Sequence, residues 1–300
     1  MSFYNFRCRP AWFRRPRWLL FATAHKLRGV VVMGSNGSLA LRDELELGRR
    51  RLTAGFRASP PCHLRAGEPL AAASRSGNAI CHLVEGWACR FHSFADGHQA
   101  IVDVYLPGDV IGLDAISRTR SLEAVITLTS IVSETSDGEQ ELAELMTCRS
   151  TAVYIGWLLG RRQQRTERHV AAISSLDARG RLATMALDFY TRLCRQQLIT
   201  GSTYCLPLTQ VDIAAYLGLT VAHVNRVLRS LREDEIVSLE RHCMTILDLN
   251  RLKTFAQKGL PPGAGFDQRV VKRADAAPKV SSPDNGGFPV CQVAAVRGFA

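Results

Sequence analysis

Residues 209–231 read TQVDIAAYLGLTVAHVNRVLRSL and predict two short helices joined by a tight turn. Thr209 and Asp212 have the spacing of a capping box, so we expect the first helix to begin there. Gly218 suits the left-handed turn that ends this helix, because glycine adopts a positive φ without steric strain. Thr220 then has the position and the hydroxyl needed to cap a second helix.

The second helix of this segment has two faces of different chemistry. Val224, Leu228 and Leu231 follow a helical spacing and predict an apolar face that packs on the rest of the protein. Roughly the opposite face carries Ala222, Asn225, Arg226 and Arg229. A packed helix that presents small, amide and guanidinium groups has what a reader of the DNA major groove needs. We therefore interpret the segment as a helix-turn-helix.

The residues that follow this segment predict a β-hairpin. Residues 236–248 are apolar and β-branched at both ends, with a polar centre from Glu240 to His242. A hairpin placed directly after a recognition helix is a wing, and the tip of a wing commonly meets DNA phosphate. The hairpin strengthens the interpretation as a DNA-binding unit.

Composition sets the outer limits on the interpretation. Three hundred residues suggest about two domains, and no run approaches the ~18 apolar residues needed to span a membrane. The net charge of +11 fits a polyanionic partner, but residues 1–32 hold seven basic side chains and no acid. The placement of charge, rather than its sum, therefore bears on function.

Cysteine usage and known catalytic motifs predict neither a metal centre nor an enzyme. The nine cysteines are irregularly spaced and none forms C-x2-C, which gives no support for zinc or iron–sulfur ligation. An odd count without a convincing secretion signal favours reduced thiols and a cytoplasmic location. The chain also lacks a Walker loop, a nucleophile elbow and an H-E-x-x-H motif. We expect no catalytic residues and no cofactor.

Five segments are predicted along the chain. They are a basic arm at 1–40, a β-barrel domain at 41–137, a helical connector at 138–176, a winged helix-turn-helix at 177–256, and a disordered Pro- and Gly-rich tail at 257–300. The arm is either disordered or contains a mis-assigned start, in which case the true start is Met33. Glycine-bearing turns recur about every ten residues in the second segment, which is typical of a compact all-β unit.

The connector contains one long predicted helix, at 153–173. Its apolar positions are Ile155, Leu159, Val170 and Ile173, and its centre is strongly polar. Such a helix could pair with a second copy in a dimer whose interface is hydrated at its centre. Alternatively, its polar face is simply exposed to solvent.

Short motifs occur in a fixed order along the chain. They are Leu83-Val-Glu-Gly-Trp-Ala88, Ala95-Asp-Gly-His98, Leu106-Pro-Gly-Asp-Val-Ile-Gly112, Arg181-Leu-Ala183, Leu206-Pro-Leu-Thr-Gln210, Gly218-Leu-Thr220, His223-Val-Asn-Arg226 and Ile246-Leu-Asp248. From about residue 55 to 252 this order resembles the Crp/Fnr superfamily of bacterial transcription regulators. The resemblance implies an α+β fold with an N-terminal double-stranded β-helix (jelly-roll) sensory domain, a long dimerisation helix and a C-terminal winged helix-turn-helix.

The resemblance also implies partners and contacts. Family members are homodimers that place one recognition helix in each of two adjacent major-groove segments of double-stranded DNA, and RNA polymerase is an implied further partner. Carried over by position, Ala222, Asn225 and Arg226 face bases. Thr220 and Arg229 lie nearer phosphate, and His223 contacts phosphate or a thymine methyl group, or is partly buried. Many members have glutamate at the position of Ala222, so the target sequence stays open.

The effector pocket departs from the family pattern. Cyclic-nucleotide binders of this fold use a glycine–glutamate pair and an arginine–serine pair to hold the ligand. The candidate positions here are Gly112, Leu113, Asp114, Arg118, Arg120 and Ser121, with the arginine–serine pair two residues out of register. Glu123 would repel a phosphodiester. We expect the β domain to have given up cyclic nucleotides, and no small-molecule effector is identified.

A different class of function remains as the alternative. The β domain could bind a nucleotide in a signalling protein whose helical end contacts other proteins. The polar face of the second helix argues against it, because a protein-docking helix normally presents apolar or aromatic anchors.

Overall fold

The computed structural model describes residues 35–57, 60–73, 80–95, 99–113, 124–136, 139–199 and 201–257. In chain order the elements are α1 (Ser35–Phe56), β1 (Cys62–Leu64), a 3-10 helix (Leu70–Ala73), β2 (Ile80–Glu85), β3 (Ala88–Ser93), β4 (Gln99–Tyr105), β5 (Val110–Ile111), β6 (Val125–Thr127), β7 (Ile131–Ser136), α2 (Glu139–Thr147), α3 (Arg149–Ser175), α4 (Ala178–Arg195), β8 (Thr203–Cys205), α5 (Gln210–Leu217), α6 (Val221–Glu233), β9 (Val237–Glu240), β10 (Cys243–Ile246) and α7 (Leu249–Gln257). The predicted order of a strand-rich part, a long helix and a winged helix-turn-helix is confirmed.

The strand-rich part consists of two antiparallel sheets that share one apolar core. The first sheet has the order β1-β7-β2-β5 and the second has the order β4-β3-β6. Leu83 and Ile131 from the first sheet meet Ala88, Tyr105 and Val125 from the second in a single buried cluster. Among the described residues the strands form no closed barrel, which corrects the expected β-barrel. Three of the four edge strands of these two sheets are short in the described residues, since β5 has two residues and β1 and β6 have three each, so only β4 offers a long row of backbone groups for closure.

Glycine turns connect these strands as predicted. Gly86, between β2 and β3, has φ +83°, and a Cβ atom added there would lie 2.3 Å from the Ser130 carbonyl oxygen. Gly67, Gly108 and Gly112 also have positive φ. The predicted turn at 96–98 lies outside the described residues.

Helix α1 corrects the expectation of a disordered arm through residue 40, because it begins at Ser35. Leu52 and Phe56 are buried in a cluster with Ile155 of α3. Gly48 approaches the Ser150 carbonyl so closely that a Cβ atom would lie 2.1 Å from its oxygen. The apolar positions of α1 are spread among arginines and glutamates, and for this reason the segment gave no clear helical pattern. Residues 1–34 of the predicted arm and 258–300 of the predicted tail lie outside the described residues.

The long helix α3 extends beyond its predicted limits at both ends and buries one side only. Ile155 and Ala172 are buried against the rest of the chain. Leu159 and Val170 are 37% and 56% exposed, although the sequence marks them as apolar positions. One face of α3 therefore has no partner within the described part of this chain.

Helix α4 begins at an Asp177 cap, whose carboxylate accepts a hydrogen bond from the Gly180 backbone N–H at 2.8 Å. Its apolar face is buried under the helix-turn-helix and consists of Leu182, Met185, Ala186, Phe189, Tyr190 and Leu193. Two elements of this unit were not predicted. Strand β8 adds a third strand to the wing, in the order β8-β10-β9, and α7 packs on α4 through Leu252 and Ala256.

The winged unit also packs against the second β-sheet. Trp87, directly before β3, and Phe189 of α4 meet edge to face, with ring centroids 5.5 Å apart. Tyr216 of α5 stacks on His169 of α3 at 4.2 Å. The apolar core is therefore continuous from the second sheet into the helix-turn-helix.

Three further findings concern thiols, metals and membranes. Six cysteines are free thiols, at positions 62, 81, 89, 148, 194 and 243. Within the described residues no group of three or more His, Cys, Asp or Glu could hold a metal ion. In the same part of the chain, no helix is both long enough and apolar enough to cross a bilayer.

Candidate nucleic-acid interface

The first helix of the helix-turn-helix, α5, begins and ends as predicted. The Thr209 hydroxyl accepts a hydrogen bond from the Asp212 N–H at 3.2 Å, and the Asp212 carboxylate accepts one from the Thr209 N–H at 2.8 Å. These reciprocal bonds form the predicted capping box. Gly218 ends the helix in the left-handed region with φ +63°. The short left-handed turn sets the direction in which α6 leaves.

Helix α6 is held by one side and presents the other. The Thr220 hydroxyl caps it by accepting a hydrogen bond from the His223 N–H at 3.3 Å. Val224, Val227 and Leu231 are buried, whereas Leu228 is half-buried. Val227 was absent from the predicted apolar face. Val224, Val227 and Leu231 are at positions i, i+3 and i+7 of one helix face, so the spacing alone could have predicted that Val227 is buried.

The opposite face of α6 is exposed, as predicted for Ala222, Asn225, Arg226 and Arg229. Within the part of the chain that the structure describes, Asn225, Arg226 and Arg229 make no side-chain hydrogen bond or ion pair with the protein. His223 is half-buried at the edge of this face. The polar groups of α6 are therefore available to a ligand.

Other arginines of the winged unit have structural partners. Arg181 donates to the Leu176 carbonyl at 3.1 Å and to the Leu217 carbonyl at 3.3 Å. Arg179 forms an ion pair with Asp234 and lies over the Phe255 ring. The structure thus separates arginines that hold the unit together from arginines that face outward.

The wing ends in a two-residue turn at Arg241 and His242. Glu240 pairs with Cys243 across β9 and β10, and the two turn residues have φ +48° and +65°. Positive φ at both positions is the geometry of a type I′ hairpin turn. Arg241 is exposed, and the His242 Nδ1 lies 3.3 Å from the Leu206 carbonyl oxygen. The sequence pattern predicts the wing, but no wing residue is among the predicted DNA contacts, although Arg241 is a basic residue in the predicted polar centre.

The predicted effector positions are only partly described. Gly112 ends β5 with φ +92°. Leu113 is 4% exposed and packs with Leu52, Phe56 and Ile155. Asp114, Arg118, Arg120 and Ser121 lie outside the described residues. The described part of the predicted effector pocket offers no charged side chain.

Comparison with known proteins agrees with this geometry. The family described as the Crp-like helix-turn-helix domain matches residues 180–255. The nitrogen fixation regulation protein FixK of Rhizobium meliloti (strain 1021) is 30% identical over 164 residues, which cover 54% of this chain and 71% of that protein. An anaerobic regulatory protein of Haemophilus influenzae is 28% identical over 182 residues, 60% of this chain and 70% of that protein.

The fold also resembles a solved structure, that of FixK2 from Bradyrhizobium japonicum. The TM-score is 0.57 at 21% identity, and the match covers 65% of this chain and 96% of that one. At this level of identity the likeness concerns the fold, whereas the identity to FixK of Rhizobium meliloti extends over most of that relative. From the winged helix-turn-helix, the β unit and these relatives we conclude that the chain belongs to the Crp/Fnr family of DNA-binding transcription regulators.

Proposed function

We propose that this regulator is a homodimer that reads an inverted repeat in double-stranded DNA through residues 181–252. The observation that carries the proposal is the exposed face of α6, where Asn225, Arg226 and Arg229 have no partner within the described part of the chain. A guanidinium that donates two hydrogen bonds to guanine is the commonest specific contact in the major groove.

The contacts divide between bases and phosphates. Ala222, Asn225 and Arg226 face the bases, because they lie along the exposed stripe of α6. Thr220 and His223 lie at the N-terminus of α6, where backbone N–H groups and the helix dipole favour a phosphate. Arg229 lies about one turn beyond Arg226, and Arg241 lies at the tip of the wing. Both suit phosphate contacts.

The exposed stripe of α3 supports the homodimer. Its members recur at the 3.5-residue spacing of a two-helix seam: Gly156, Leu159, Gly160, Gln163, Glu167, Val170 and Ser174. A Cβ atom added at Gly156 or Gly160 would meet nothing within 4 Å, so space is open there for a second helix. Leu159 and Val170 provide apolar contacts at the two ends of a polar middle.

We infer that DNA binding is controlled through the part of the chain before α3. Trp87, directly before strand β3 of the second sheet, contacts Phe189 of α4, and Phe189 contacts Tyr216 of α5. A change in this sheet would therefore alter the position of the helix-turn-helix, and the bound dimer would act on RNA polymerase at a promoter.

Selection of binding sites from a random duplex library, followed by fluorescence anisotropy, tests the DNA assignment. Arg226→Ala should weaken the selected site by about 1–3 kcal/mol and relax discrimination at one base pair. Arg229→Ala removes the same charge from the same helix. If Arg229 contacts phosphate, this variant should weaken binding to all DNA sequences alike. It should also lower the salt slope, which is the slope of the logarithm of the binding constant against the logarithm of the salt concentration, by about one. Full affinity and selectivity in the Arg226→Ala protein would refute the assignment.

A further inference from the structure

A cleft with a volume of about 870 Å³ lies between α1, α3, the turn joining β4 to β5, and the end of α4. It is separate from the exposed face of α6 and from the wing. Eight arginines but only three carboxylates line it. The charge of this concave surface is therefore strongly positive, and a ligand that enters it would be an anion.

The floor of the cleft is built from half-buried ion pairs. Asp109 contacts Arg165 at 3.4 Å and also pairs with Arg192. Burial works to raise the pKa of the Asp109 carboxyl, but the two guanidinium groups outweigh it and hold that pKa below its usual value. Asp188 is engaged in the same way by Arg168, at 2.9 Å. The carboxylates of the floor are thus already neutralised, and they do not cancel the charge of the rim.

The rim supplies guanidinium groups that have no carboxylate partner. Within the described residues Arg42 and Arg161 form no ion pair, whereas Arg49 is held by Glu46 at 2.8 Å. Arg161 lies over the Trp157 ring at 5.4 Å, and Trp157 stacks on Tyr154 with centroids 5.6 Å apart. The Trp157 side chain is 39% exposed. A guanidinium stacked on a partly exposed aromatic ring therefore stands at the entrance.

We infer that this cleft binds a small organic anion, a planar ring that carries phosphate or carboxylate groups. The ring would lie against the exposed edge of Trp157, and its anionic groups would accept hydrogen bonds from Arg42 and Arg161. The volume falls in the range of small-molecule sites. The concave shape selects against a broad DNA duplex.

The location gives the site a regulatory meaning, which rests on the proposed function. Arg165 and Arg168 project from α3 on the side opposite Gln163 and Val170. A dimer formed along the exposed stripe would therefore leave this side of the cleft uncovered and would border the cleft at Leu159, which belongs to both. The walls include α3 and α4, hence a bound anion contacts both the proposed seam helix and the first helix of the winged unit. An anion that binds one arrangement of these helices better than another would shift DNA affinity.

Fluorescence polarisation of pyranine, a planar aromatic anion with three sulfonates, tests the site on the full chain without DNA. The double variant Arg42→Ala/Arg161→Ala should bind pyranine at least about tenfold more weakly, because it loses two charge-assisted contacts. Trp157→Leu should weaken binding severalfold. The control Arg65→Ala removes an exposed guanidinium outside both the cleft and the proposed DNA-binding face, and it should stay within about twofold of the parent protein. Thermal melts of each variant establish that it is folded.

Competition identifies the anionic group. Phenyl phosphate and phthalate are added to the pyranine complex, and the better competitor distinguishes phosphate from carboxylate recognition. Equal loss of pyranine affinity in the Arg65→Ala control, retained affinity in the double variant, or displacement by duplex DNA but by neither small anion would each overturn the inference. Failure of the DNA assignment appears separately, as unchanged DNA affinity in the Arg226→Ala protein.

Discussion

At the scale of single residues, arginine has two opposite roles in this chain. The Arg192 side chain is 10% exposed, pairs with Asp109 and Asp188, and donates to the Val104 carbonyl at 3.0 Å. Arg226 is exposed, and it contacts no protein group among the described residues. Removing a partner of Arg192 leaves a charge in a poorly solvated place, whereas removing Arg226 leaves the fold untouched.

Asp109→Asn should lower the free energy of unfolding at pH 7 by about 3 kcal/mol, since Arg192 and Arg165 lose their shared carboxylate. The folded-state pKa of Asp109 is below its ordinary value. Its contribution is therefore fully present above the unfolded-state pKa of about 3.9 and is lost as the pH falls through the folded-state pKa.

Urea denaturation at pH 7 and at pH 3 measures this effect. The difference in the free energy of unfolding between the parent protein and Asp109→Asn should be smaller at pH 3 than at pH 7. The exposed carboxylate of Asp43 provides the control, and Asp43→Asn should leave stability within about 0.5 kcal/mol. Equal stability of parent and Asp109→Asn at pH 7 would contradict the role assigned to the floor of the cleft.

At the scale of elements, the wing turn is held in a conformation that its residues disfavour. Arg241 has φ +48°, in the left-handed region that asparagine tolerates better than arginine. Arg241→Asn should raise the free energy of unfolding by up to about 1 kcal/mol. The same change removes a cation from the tip, so the salt slope of DNA binding should fall by about one.

Chemical denaturation and anisotropy at several salt concentrations separate these two effects. Arg241→Lys serves as the control, because it keeps the charge and the unfavourable φ. A variant Arg241→Asn that loses stability, or that keeps the full salt slope, would argue against this account of the wing.

The exposed stripe of α3 yields a prediction about assembly. Val170→Glu should convert the proposed homodimer into a monomer, because two carboxylates would face each other across the seam. Leu47→Glu is a matched control, since Leu47 of α1 is 42% exposed and lies off the stripe. Sedimentation equilibrium distinguishes the outcomes, and a dimeric Val170→Glu protein would place the seam elsewhere.

At the scale of the whole molecule, a twofold dimer must match the geometry of its DNA. The two recognition helices should read half-sites about one helical turn, ~34 Å, apart. Inserting about five base pairs between the half-sites turns one of them to the opposite side of the duplex. The affinity for this DNA should then drop to that for a single half-site. DNA with a full helical turn inserted between the half-sites controls for the added length. Unchanged affinity after the half-turn insertion would mean that the protein does not bind as a rigid twofold dimer.

The part of the molecule that sequence alone determined consists of local signals. The capping box of Thr209 and Asp212, the left-handed Gly218 and the two faces of α6 all depend on residues within two or three turns of each other. Hydrogen bonds at helix ends and the 3.6-residue period act over that range, so spacing was sufficient to predict them. The exposed face of α6 followed from the same period.

Tertiary structure alone decided which polar residues are engaged and which surfaces are covered. Arg192 and Asp109 are 83 residues apart in sequence, and no periodicity connects them. The helix α1, the docking of Phe189 on Trp87 and the arginine-lined cleft likewise depend on contacts between distant segments. Such contacts are selected by the packing of whole elements. An arginine in the sequence therefore carries no sign of whether a carboxylate or the solvent will face it.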